Sequence, residues 1–197
     1  MKTRFLGYLK KIFSPKGGSL ALVLLLFFSF LVPSFRPVEA QLISRIFSPT
    51  SDSYVIETSP STNYGTSTQI RVDGSPLVRS FLKFSVENIS GAVTNASLRV
   101  FANSNHNIGF TVHRVNDTTW TETGVVYTNA PGFDATSSGA SGPLTAGNWY
   151  TVDITSLVSG NGTYSIALVT SSTTAMSLTS RESVSPPQLI VEEETSG

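Results

Sequence analysis

From Ile43 onward, apolar residues recur at every second position in short runs, and no stretch repeats them at helical spacing over three turns. Side chains alternate across a strand with period two, so such runs are strands that turn one face to a core. Gly, Pro, Asn and Ser bound them about every ten residues. The expected strands are Ile43 to Phe47, Ser53 to Glu57, Gln69 to Asp73, Val78 to Val86, Ala96 to Asn103, Gly109 to Val115, Trp149 to Thr155, Tyr164 to Val169, Met176 to Ser180 and Gln188 to Glu192. With no helix between them, the expected fold is all-β: a two-sheet antiparallel β-sandwich, jelly-roll-like.

The run from Val78 to Val86 shows the pattern. Val78, Ser80, Leu82, Phe84 and Val86 fall on one face, and Arg79, Phe81, Lys83 and Ser85 on the other. Leu98 and Val100 alternate likewise with Arg99 and Phe101, and Ile70 and Val72 with Arg71 and Asp73. Three expected strands, read as neighbours, thus each turn an arginine outward. Between Asn116 and Leu144 the periodicity fails, and loops are expected there with one short strand near Val125 to Tyr127.

The first forty residues have a different chemistry. Lys2, Arg4, Lys10, Lys11 and Lys16 precede an apolar run of 13 residues, Leu20 to Val32, and then Pro33, Pro37 and Val38-Glu39-Ala40. A positive head, an apolar middle and a small residue at the cut are the order of a secretory signal peptide. The run falls short of the roughly 20 residues that span a bilayer core, so cleavage after Ala40 is expected rather than a membrane anchor. Residues 1–40 are read as signal peptide and 41–197 as one secreted, extracellular β-sandwich domain. That domain carries seven basic and twelve acidic side chains, a formal charge of −5. Attraction to nucleic acid or to an anionic membrane is therefore not expected. With no cysteine in the chain, packing and ligated ions must hold the domain instead of disulfides.

Catalytic chemistry has little to work with. His106, in Asn103-Ser104-Asn105-His106-Asn107, reads as a solvent-exposed hairpin tip, and His113 as a strand residue, exposed or bonded across the ladder. There is no nucleophile elbow, zinc-protease helix or phosphate loop. Asp117 and Glu122 flank Trp120, and a paired-carboxylate hydrolase would need two such groups. The simpler reading has Trp120 plugging the end of the sandwich while its acidic neighbours bind loop amides. No cofactor is expected beyond a structural calcium, for which Asp52, Asp73 and Asp153 are the candidate ligands.

Nine pieces in order resemble carbohydrate-binding module family 96, also called DNRLRE domains. They are Pro49-Thr50-Ser51-Asp52-Ser53-Tyr54-Val55, Asn63-Tyr64-Gly65, Arg71-Val72, Arg79-Ser80-Phe81-Leu82-Lys83-Phe84, Ala96-Ser97-Leu98-Arg99-Val100, Trp120-Thr121-Glu122, Asn129-Ala130-Pro131, Ser180-Arg181-Glu182 and Pro187-Gln188-Leu189. The resemblance implies an exported, non-catalytic β-sandwich that binds polysaccharide, some members being similar to alginate binders. If a uronate ligand carries over, Arg71, Arg79, Lys83 and Arg181 would grip carboxylates and Phe81 would offer a platform. Phe81 stands where the family would have Tyr, and Tyr127 where it often has Trp. Two other readings stay open. The domain could be a structural or adhesive protein assembling with cell-envelope or extracellular-matrix components, carrying glycans at Asn88, Asn95, Asn116 or Asn161, or a small polysaccharide lyase or hydrolase.

Overall fold

A computed structural model of the chain describes residues 39–196. Apart from Glu39 and Ala40, the expected signal peptide lies outside the described residues. Within them the strands are β1 (Ala40–Phe47), β2 (Ser51–Ile56), β3 (Gln69–Gly74), β4 (Leu77–Val86), β5 (Ala92–Phe101), β6 (Thr111–Val115), β7 (Gly139–Ala140), β8 (Trp149–Asp153), β9 (Gly162–Val169), β10 (Met176–Thr179) and β11 (Gln188–Ser196). The strand expected near Val125 is instead a single 3-10 turn, Tyr127–Asn129, closed by the Asn129 side-chain oxygen accepting from Val126 N–H at 2.7 Å.

All ladders are antiparallel and form two sheets. One runs β1-β11-β5-β8; the other has seven strands in the order β10-β3-β4-β9-β6-β7, with β2 also on β4. Their inner faces meet in the main core, where Leu82, Phe84 and Val86 of β4 pack with Leu98 and Val100 of β5 and Leu189 and Val191 of β11. Fully burying one such side chain stabilises the fold by about 1.5–3 kcal/mol. This is the expected two-sheet antiparallel sandwich, and the alternation in β4 and β5 assigns these inward residues correctly.

One acidic residue is turned inward on purpose. Glu193 shares the inward parity of Leu189 and Val191 along β11, and the register shift beside it leaves Thr94 of β5 as the extra, unpaired residue of the ladder. Glu193 is fully buried. Its carboxylate accepts Ser90 N–H and Gly91 N–H at 2.6 Å each and Arg45 Nε–H at 2.8 Å. Those donors, Gly91 first, hold its pKa down at about 2. Arg45 thereby ties β1 to the rest of its sheet.

Candidate functional site

The outer face of the seven-stranded sheet can be read across its ladders. Val55 stands beside Arg79, Ser53 beside Phe81 and Ser51 beside Lys83. Beyond β4, Phe81 continues to Ala167 and His113, and Lys83 to Ser165 and Val115. Val55, Phe81, Ala167 and Val115 therefore form an apolar island on the side away from the main core. Exposed, it would be unfavourable, and the irregular segment 116–138 covers it. Trp120 and Val125 complete a second buried cluster there, edged by Tyr127, Ala130 and Phe133. Trp120 thus roofs the sheet face and does not plug the end of the sandwich. Its ring tilts over Phe81 at 6.2 Å, and its indole N–H donates to Ser165 Oγ at 2.8 Å.

Polar contacts fasten this flap. The Asn63 side-chain amide donates to the carbonyls of Glu122 and Val125, both at 2.7 Å. Gly65 passes so close that a Cβ there would lie 2.2 Å from the Glu122 carbonyl oxygen, so only glycine fits. His113 Nδ1 donates to the Asp134 carbonyl at 2.8 Å and its Nε2 accepts from Thr111 Oγ1 at 2.9 Å.

The expected binding residues fare differently under this roof. Phe81 has no exposed surface, which corrects its reading as a platform: the outward side of β4 is the floor of a second core. Lys83 donates to the Trp120 carbonyl and sits 4.6 Å over the indole ring. Its burial holds the ammonium below its ordinary pKa, with the nearby Asp117 charge pulling the other way. Arg181 grips Glu122 through two bonds of 2.8 and 2.7 Å. Arg79 is half-buried at the flap margin, its guanidinium 5.2 Å over the Phe133 ring. Arg71, also half-buried, lies across from Ser177, because β3 meets β4 only at Asp73–Val78 and Gly74–Leu77 and then pairs with β10. Among the described residues neither Arg71 nor Arg79 forms an ion pair. Arg99 belongs to the other sheet, so the three outward arginines are not neighbours.

The calcium candidates separate too. Asp73 accepts from Ser75 N–H at 3.1 Å and Asp153 from Thr155 N–H at 2.9 Å, and each closes its own turn. Asp52 alone has acidic company: its carboxylate and those of Glu122 and Glu182 offer oxygens within 4.8 Å of one another. The countercharge at that cluster comes from the Arg181 guanidinium, and the Arg181 backbone N–H donates to Asp52 Oδ2 at 2.7 Å. Glu122 in turn accepts Asp52 N–H at 3.0 Å. The group is therefore a latch between β2, the flap and the β10–β11 loop. Burial, more than the neighbouring acids, pushes the Asp52 pKa up to about 7.

The histidines are bonded within the fold. His106, expected at an exposed tip, is buried. Its Nδ1 accepts Gly109 N–H at 2.7 Å while Nε2 donates to the Thr174 carbonyl at 3.0 Å. Its bridge to Leu144 fixes it between two loops whose proximity no local pattern announces.

No curated protein matches the chain. The profile of carbohydrate-binding module family 96 matches residues 44–193, from within β1 to within β11, and so spans both sheets and the flap: the chain belongs to carbohydrate-binding module family 96.

Proposed function

We propose that the chain is an exported, non-catalytic module that holds an acidic, uronate-bearing polysaccharide through Arg79, with Arg71 as a second cation. The observation that carries this reading is Arg79 itself. Its guanidinium is propped on Phe133 and has no acidic partner among the described residues, so its planar donors are free for a carboxylate. Lys83 and Arg181, spent on Trp120 and Glu122, act through the flap that carries Phe133. Both ring nitrogens of each histidine are occupied, which fits positioning better than proton transfer.

Affinity electrophoresis through gels containing alginate or polygalacturonate tests this. Arg79→Ala is expected to weaken retention about tenfold while its loss of the ring contact destabilises the fold by less than about 1 kcal/mol. Retention that is equal for the two proteins removes Arg79 from the site. Appearance of unsaturated uronate products would overturn the non-catalytic part.

A further inference from the structure

We infer that the outer face of the four-stranded sheet is a second glycan site, a platform built by Trp149, Phe101 and Arg99 that takes a neutral polysaccharide chain. The inference rests on the glycan-binding reading above but on different residues, across the sandwich from Arg79.

The placement follows from register. Gln188 of β11, Arg99 of β5 and Thr151 of β8 stand in one row, and Phe101 and Trp149 in the next. The intervening Leu98, Val100, Leu189 and Val152 all enter the main core, so this set must face out. Phe101 and Trp149 belong to neither core cluster. Both are half-buried and keep some accessible surface, as do Arg99 and Gln188, and Thr151 is exposed. The corresponding face of the other sheet, by contrast, hides its aromatic residue under the flap.

The side chains are already ordered. The Arg99 guanidinium lies 4.3 Å over the Trp149 ring, and Phe101 meets the same ring edge-on at 5.4 Å and 73°. Arg99 Nη1 donates to Gln188 Oε1 at 3.1 Å, which leaves its other donors unspoken for, and among the described residues it forms no ion pair. An indole edged by Phe101 and flanked by guanidinium, amide and hydroxyl suits a pyranose, whose C–H face stacks on the side of the Trp149 ring away from Arg99 while its hydroxyls take the polar groups.

Charge selects the class. Asp153 follows one row further, beside Ser97, and Glu192 one row beyond, opposite Asn95. Rows on one face are spaced by two residues, about 7 Å. A polyuronate laid along the strands would bring its carboxylates onto Asp153 and Glu192, with a single cation to offset them. A neutral chain meets no such repulsion, and those carboxylates accept its hydroxyls.

The test compares the purified wild-type chain with Trp149→Ala and Arg99→Gln in gels of hydroxyethylcellulose, xylan and glucomannan, with alginate run in parallel, each with and without molar salt. Far-UV circular dichroism and thermal melting check folding, and Arg99→Gln carries the test if Trp149→Ala folds poorly. Wild type is expected to be retained by at least one neutral polymer, in a manner that salt does not abolish. Trp149→Ala should weaken that retention about tenfold or more and Arg99→Gln about threefold, with alginate retention unchanged in both. Neutral retention equal in all three proteins overturns the platform and leaves the Arg79 site standing, as does wild-type retention by alginate alone. Parallel loss on alginate in both variants overturns the separation into two sites. Retention by no polymer overturns both readings.

Discussion

Trp120→Ala is expected to destabilise the domain by about 3–5 kcal/mol, the range for removing a large aromatic side chain from a core. Only 8% of Trp120 is exposed, and it is the largest buried side chain that segment 116–138 contributes to the cluster with Phe81, Val55 and Ala167. Its removal also leaves Ser165 Oγ without the indole donor and Lys83 without the ring beneath it. Neither loss can be repaired by local collapse, since the floor is a rigid sheet. Urea unfolding at neutral pH measures the effect. Because Phe133 rides on the same segment, alginate retention should fall together with stability, unlike in Arg79→Ala, where only retention falls. A change under about 1 kcal/mol would show that the flap does not pack as a second core.

That flap marks the boundary of what the sequence discloses. Alternation sorts β4 into Leu82, Phe84 and Val86 against Arg79, Phe81 and Lys83, and the first set is indeed the main core. What alternation cannot say is whether the second face meets water or another layer of chain. A signal was present: Tyr54-Val55 in β2 and Ile166-Ala167-Leu168 in β9 are apolar on both faces, the pattern of strands covered twice. The cover itself has no period, since 116–138 is held by single contacts such as Asn63 to Glu122 and Val125. Pairing order is equally hidden. Arg71, Arg79 and Arg99 look equivalent along the chain, yet β5 lies between β11 and β8 in the other sheet. Trp149 and Arg99 become neighbours only through the β5–β8 register. The Asp52 latch joins residues 52, 122 and 181, separations at which a short motif can suggest that a residue matters but not what it touches.

The same latch predicts an unusual pH profile. Asp52 is 1% exposed and its pKa is raised from 3.8 to about 7, chiefly by burial, while Arg181 N–H works against the rise and Glu182 and Glu122 add to it. Between those two values the folded chain keeps a proton that the unfolded chain has released. Stability must therefore fall as pH rises from about 4 to 7, by at most about 4 kcal/mol. Glu193 has the opposite sign: its pKa is lowered from 4.5 to about 2, so it contributes stability above the unfolded value that is lost as pH drops through 2. The two limbs meet in a maximum near pH 4 to 5, below the usual neutral plateau. Asp52→Asn keeps an acceptor for Arg181 N–H and removes the titrating group, so it should flatten the limb between pH 5 and 8, stabilise the domain at pH 8, and leave the acid limb intact. Urea unfolding from pH 3 to 8 reads both proteins. Wild-type stability that rises or stays level from pH 5 to 8 would mean that Asp52 is already charged in the fold, with Arg181 and its surroundings solvating it fully. The latch would then be an ordinary ion cluster, and the flap would feel no pH.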